Sequence, residues 1–329
     1  MSETIVGKPI DRADGRLKLT GQARYAAENS PPNLAHAMVV SSTISKGRIK
    51  DIDSAAAEAS PGVVAVLTHK NAPRLKESKP DHKGGSMPGE NWLPLQDDKI
   101  HYDGQYVALV VADTLEHAIA ASERMKMNYE EAAGVFDIES VRSEPQKPKS
   151  FFGKPLQKKR GDAEAALKNV AVSIDATYVT PVQNHCAMEP SATVAQWEGE
   201  NLTLYDSTQG VMSTRKVIAE VLGIPLENVR VLCPYTGGGF GSKGFCWPHT
   251  MLAAMGAKVA KRPVKLNLRR QQTFLSIGHR EKTVQRLVLG ADKSGKLQAL
   301  KHENLTSTST QTEFIEPTGI PTSVLYARN

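Results

Sequence analysis

The chain has 329 residues, which at ~150 residues per domain gives room for about two domains and a core that needs no disulfide or metal staple. Lysine and arginine outnumber the acids 41 to 35, a net charge of +6, yet aromatics are only 5% of the chain and do not interleave with the basic residues, which argues against a nucleic-acid-binding surface. No stretch approaches the ~20 apolar residues of a membrane span, and Cys186, Cys233 and Cys246 form no CxxC pair of a zinc, iron-sulfur or dithiol site.

The opening MSETIVGKPIDRADGR has no apolar run after its charges, so the expectation is a cytoplasmic chain without signal or anchor; a periplasmic site would need a partner's signal. From Ile5 to Glu28, with Gly7, Pro9, Gly15 and Gly21 as punctuation, an extended, turn-rich lead-in is expected to lie across other elements. Leu34 to Ser42 and Val63 to Thr68 are apolar, β-branched runs that predict strands, with a helix at Ile52 to Ala59 between them. Gln105 to Ala112 predicts a buried strand, and Thr114 to Met127 a helix capped by Asp113. Alternating strands and helices make this an α/β unit.

Ser143 to Gly161, rich in Pro, Lys and Gly, predicts a surface linker with a solvated Lys158, Lys159, Arg160 cluster. A helix at Asp162 to Asn169 follows, then strands at Ala171 to Tyr178, Thr193 to Trp197 and Leu202 to Asp206, the last two joined by a hairpin turn at Glu198 to Asn201. Next come a helix at Met212 to Leu222, a strand at Val229 to Cys233, a glycine loop at Gly237 to Gly241 and a helix from Pro248 to Lys261. Val264 to Leu268, Gln285 to Leu289 and a segment from Leu297 complete the predicted strands, with a turn at Ala291 to Lys296.

The segment that carries chemistry is the strand, then Thr236, Gly237, Gly238, Gly239, Phe240, Gly241, Ser242, Lys243, then the helix. Consecutive glycines can take positive φ and bring N–H groups against an anion, and the following helix start would add its dipole. The same composition also suits a tight turn without a ligand. A P-loop is excluded because Lys243 lies between Ser242 and Gly244, and a dinucleotide fingerprint is only weakly matched because its third glycine position, counted from Gly237, holds Ser242.

This loop, preceded by Ser207-Thr208-Gln209 and by HCAMEP at His185 to Pro190, resembles the molybdenum-binding subunit of the xanthine oxidase and aldehyde oxidase family. So do GKPIDRADG (Gly7 to Gly15), LTGQARY (Leu19 to Tyr25), Pro61 to Val66 and Gln105 to Ala112, in the family's order and across essentially the whole chain. The resemblance is strongest to bacterial three-subunit aldehyde dehydrogenases. It implies an α/β (α+β) fold with a hammerhead-type α/β domain at residues 1–142, a linker at 143–161 and the first part of a molybdopterin-binding α/β domain at 162–329.

By the resemblance, the cofactor is molybdenum with molybdopterin cytosine dinucleotide, held without direct protein ligands. Gln209 would hydrogen-bond an oxygen ligand of the metal, the backbone of Phe240 and Gly241 would lie against its ligands, Gly238 and Gly239 would admit it, and Lys243 would support the loop. Gly244 and Phe245 stand where purine-oxidising members place a Glu, which implies an apolar pocket for an aldehyde. His185, Cys186 and Glu189 belong to the same region, with a structural role expected. The family's catalytic Glu would lie beyond Asn329, so no catalytic residue is expected here and the chain alone should be inactive. The implied partners are a C-terminal half of the molybdenum subunit, an iron-sulfur subunit and an FAD subunit. A binding or assembly module that keeps the fold without chemistry is the competing expectation.

Overall fold

The computed structural model describes residues 6–78, 88–143, 150–151, 154–155, 157–307 and 319–326. The lead-in is less extended than expected. It contains helix α1 (Gly15–Leu19) and a single 3-10 turn at Ala26–Glu28, because Asp14 gathers both Arg12 (3.0 Å) and Lys18 (2.7 Å) and folds the chain back on itself.

Then follow β1 (Ala35–Ser41), β2 (Gly47–Asp53), α2 (Ala55–Glu58), β3 (Val63–Thr68), β4 (Lys99–Ile100), β5 (Tyr106–Ala112), α3 (Leu115–Ser122) and β6 (Lys126–Glu131). Two of these depart from the sequence pattern. Strand β2 stands partly where a helix was expected, because its pairing with β6 shifts register between Ile49 and Asp51. That irregularity lets Ile49 and Ile52, three apart, both face a small core, a spacing that reads as helical. The expected helix to Met127 ends at Ser122, since Met127 and Tyr129 alternate along β6 into the same core. Thr114, not Asp113, caps α3 by accepting the His117 N–H at 3.1 Å; Asp113 instead meets the His117 ring at 2.6 Å.

Of the expected linker, residues 144–149, 152–153 and 156 lie outside the described residues; within it β7 (Ser150–Phe151) and β8 (Lys154–Pro155) pair as a hairpin. The second half contains α4 (Ala163–Leu167), β9 (Val172–Thr180), β10 (Ala192–Glu198), β11 (Asn201–Asp206), α5 (Val211–Leu222), β12 (Val229–Leu232), α6 (Pro248–Ala260), β13 (Val264–Asn267), α7 (Arg270–Ser276), β14 (Thr283–Ala291), β15 (Leu297–Thr306) and α8 (Gly319–Tyr326). Helix α5 ends on Gly223 at φ 64°, a left-handed cap that glycine adopts without a Cβ penalty.

Seven strands form the main sheet in the order β12-β11-β10-β13-β1-β5-β3, so strands from both sides of residues 143–161 pair in one sheet, joined by the parallel contact of β1 with β13. The lead-in turn at Ala26–Glu28 packs on β10, β11 and β13. Smaller sheets are β4-β2-β6 and β15-β14-β9. Strand β5 is buried along its whole length because it is covered on both faces: Val110 and Ala112 point to α2 and α3, Leu109 and Val111 to α6. Helix α6 is correspondingly apolar all round, with every residue from Pro248 to Ala257 buried.

Helix α6 is the post on which the main core is assembled. Leu252, fully buried in it, should cost about 2–5 kcal/mol of stability on substitution by alanine. Urea unfolding of the Leu252→Ala variant tests this, and a loss below about 1 kcal/mol would place the helix elsewhere than in the core.

Candidate functional site

Strands β11, β12 and β13 run the same way while β10 runs against them, so the segments after the first three and the segment before the fourth emerge at one edge of the sheet. This is where parallel strands commonly place ligands. Four stretches meet there: 207–210, 233–247, 268–270 and 184–191. Ser207 N–H donates to Ala192 O (2.9 Å) and Leu268 N–H to Ser191 O (3.0 Å), which ties three of them together.

The glycine loop closes on Gln209. The main-chain N–H of Gln209 donates to Lys243 O at 2.7 Å, and its side-chain Oε1 accepts the Gly241 N–H at 3.0 Å. Gly239 must lack a side chain, since a Cβ would lie 2.4 Å from Gln209 Oε1. Gly238 (φ 94°), Phe240 (φ 54°) and Gly241 (φ 101°) are all left-handed, and the Phe240 ring stands 71% exposed. The N–H groups of Gly238, Gly239 and Phe240 have no acceptor among the described residues, so a short run of donors is left available.

Helix α6 begins at Pro248, as expected, with residues 244–247 between it and Lys243. Turns fill the interval from Gly241 to Trp247, because the Trp247 indole donates to Ser242 O and Lys243 is drawn inward. Lys243 is 2% exposed; its ammonium donates to Glu189 Oε2 (2.8 Å) and Glu189 O (2.9 Å), so it is a buried anchor and not a solvated surface charge. Glu189 Oε2 also accepts the Gly237 N–H at 2.7 Å. Nothing in the local pattern announces this pair, whose members lie 54 residues apart. Arg270 was missed for the same reason: its guanidinium donates to Ala187 O and Met188 O and pins the segment carrying Glu189.

Gly244 is half-buried, and Phe245 is partly buried against the main core, 6.1 Å from the Trp247 ring in an edge-on contact. A shallow cleft opens on another side of Lys243, lined among others by His185, Cys186, Ser242, Phe274 and Ile277. His185 lies beside Gly241, and burial lowers its pKa, with Arg280 and His279 acting the same way. Cys186 is exposed. Beneath the loop, burial raises the Asp206 carboxyl to about 6, against the lowering effect of the Thr193 and Thr250 hydroxyls that donate to it. Burial, then Lys243, lowers the neighbouring His249 to about 3, so this imidazole stays neutral.

The family model of the molybdopterin cofactor-binding domain matches residues 143–322, and that of the aldehyde oxidase and xanthine dehydrogenase a/b hammerhead domain matches residues 20–133. The chain belongs to the aldehyde oxidase and xanthine dehydrogenase family.

Among curated relatives, the molybdenum-binding subunit of the Escherichia coli aldehyde oxidoreductase is 42% identical over 302 residues, covering 91% of this chain and 40% of that protein. The large molybdopterin subunit of nicotinate dehydrogenase from Eubacterium barkeri is 30% identical, over 91% of this chain and 69% of the relative. The fold is that of the Desulfovibrio desulfuricans aldehyde oxidoreductase, with a TM-score of 0.79 at 24% identity over 92% of this chain and 35% of that one. The chain thus spans about 40% of the Escherichia coli relative that it matches. Among the described residues, no helix is long and apolar enough to cross a membrane.

In Gly239→Ala the Gln209 side chain must leave, so the Gly241 amide should lose its acceptor and exchange with deuterium about 2–10 times faster; unchanged protection would contradict the contact. Asp206 titrates at about 6 folded against an ordinary 3.8, so the folded state holds that proton more tightly. Its contribution is therefore most favourable below pH 4 and is lost as pH rises to about 6, a change of roughly 2–3 kcal/mol. Urea titrations at pH 4 and pH 7 should show Asp206→Asn abolishing that fall relative to the parent chain, and parallel curves would reject the assignment.

Proposed function

We propose that this chain is the molybdenum-cofactor-binding part of an enzyme that oxidises aldehydes to carboxylic acids with water as the oxygen source. The carrying observation is the bond from the Gly241 N–H to the Gln209 side chain. Only the amide oxygen can meet that N–H, which leaves both Nε2 hydrogens for another acceptor.

The residues present fit the group. Left-handed glycines offer a backbone surface, Gly241 has nothing nearer than 3.9 Å where a Cβ would point, and three N–H groups are available for oxygen atoms. Gly238, Gly239, Phe240 and Gly241 would hold the molybdenum end of molybdopterin cytosine dinucleotide, and the Gln209 amide would donate to an oxygen on it. When bound, the group supplies the two-electron redox chemistry of hydroxylation. The chain's own part is to orient the group, through the backbone of Phe240 and Gly241 and the Gln209 amide, and to line one side of the substrate pocket with Gly244 and Phe245. An apolar residue after Gly244 suits an aldehyde better than a heterocycle that needs a carboxylate partner.

The likeness to an aldehyde oxidoreductase subunit supports the substrate class. On this reading the catalytic Glu is supplied from outside these residues, in a C-terminal half of the molybdenum subunit. Electrons leave through an iron-sulfur and an FAD subunit, and the assembly is cytoplasmic.

Purification of the tagged chain from its native host, with metal analysis and an aldehyde assay in ¹⁸O water, tests this. The expected result is molybdenum and iron in the preparation and ¹⁸O in the acid product. A preparation with neither molybdenum nor aldehyde turnover would sink the reading.

A further inference from the structure

We propose that Glu189 is a positioning residue for the cofactor loop, setting the place of the Gln209 amide through Lys243; this rests on the reading of the glycine loop as the molybdenum-cofactor site. Glu189 Oε2 accepts from Gly237 N–H at 2.7 Å and from the Lys243 ammonium at 2.8 Å, so it grips the first glycine of the loop and the lysine that ends it. The intervening Gly238 to Ser242 is thereby held as a closed ring, reinforced by the Glu189 N–H donating to Gly237 O at 3.0 Å.

Lys243 passes this constraint on. Its carbonyl accepts from both the Gln209 N–H (2.7 Å) and the Thr208 hydroxyl (3.2 Å), while Gln209 Oε1 takes the Gly241 N–H inside the ring. The main chain and the side chain of Gln209 are thus both referenced to a loop whose ends are clamped by Glu189. There is little slack at the clamp, since a Cβ on Gly237 would come within 2.4 Å of Glu189 Cβ. Burial supplies the stiffness: the Lys243 and Glu189 side chains are 2% and 10% exposed, and a desolvated ammonium cannot leave its carboxylate without a large penalty. The second oxygen, Oε1, is buried with no hydrogen-bond partner among the described residues, so the side-chain part of the grip rests on Oε2, beside the main-chain contacts of Glu189 O with the Lys243 ammonium (2.9 Å) and of Glu189 N–H with Gly237 O.

A buried pair replaced as a whole by apolar side chains often leaves stability nearly unchanged, whereas removing one partner strands a charge. That difference separates positioning from mere support of the fold. The experiment compares the protein purified from its native host, with the chains that accompany it, with three variants: Glu189→Gln, Glu189→Asp, and Glu189→Met combined with Lys243→Met. Read-outs are melting temperature, molybdenum per chain, the molybdenum EPR signal after partial reduction, and kcat and KM with benzaldehyde.

The double variant is expected to melt close to the parent protein yet to show an altered EPR signal and a kcat lowered about 10- to 100-fold with KM little changed. Glu189→Gln should show the same spectroscopic change with a lower melting temperature. Glu189→Asp, which keeps the charge and withdraws it by one methylene, should give a smaller shift of the same signal. A double variant or Glu189→Asp with the parent's EPR signal and kcat overturns the inference. Absence of molybdenum from the parent protein itself would instead overturn the cofactor-site reading, and the inference with it.

Discussion

A lysine ammonium buried at the edge of a sheet sets the terms for the rest of this site. Lys243 is desolvated, so a carboxylate must meet it, and Glu189 does so while also taking a glycine N–H. From this one demand follow the inward course of the chain after Gly241 and the ring closure of the loop. The lodging of Trp247 beneath it, with its indole on Ser242 O, belongs to the same locked turn. Arg270 extends the effect by holding the main chain at Ala187 and Met188, just before Glu189.

The pair could not be brought together without the strand directions of the main sheet. Parallel pairing of β11 with β12, and antiparallel pairing of β10 with both β11 and β13, deliver the Glu189 segment and the glycine loop to the same edge. Helix α6 supports the arrangement from behind: buried on all sides, it cannot move without opening the core shared by β5, β10 and β13. The site is therefore mounted against the main core. Asp206 and His249 lie under it as buried groups whose charged forms are disfavoured: His249 stays neutral, while Asp206 holds its proton to about pH 6.

Much of the fold was legible from the pattern of apolar residues. Val63–Thr68, Tyr106–Ala112, Val211–Leu222 and Pro248–Ala260 stand within a residue or so of where their periodicity placed them, because each buries its apolar positions in a regular repeat. Legibility failed where regularity failed. The register shift in Gly47–Asp53 converts a strand's alternation into a spacing of three, and Lys126–Glu131 exposes too many polar residues to stand out from the helix before it. In the site, the glycines and Gln209 were visible from their order along the chain and their likeness to a known family. Thr208, Glu189 and Arg270 in their binding roles were not, since their partners lie between 35 and 83 residues away.

By itself, then, the sequence determined the family, the mixed α/β class and the loop that can present backbone donors, because these depend on local composition and on motif order. The tertiary structure alone decided that Lys243 turns inward and that one carboxylate oxygen grips both ends of the loop. The physical reason is burial: whether a lysine is a solvated surface charge or a desolvated anchor depends on what packs around it, and that is settled by strands far apart in the chain coming out at one edge of a sheet.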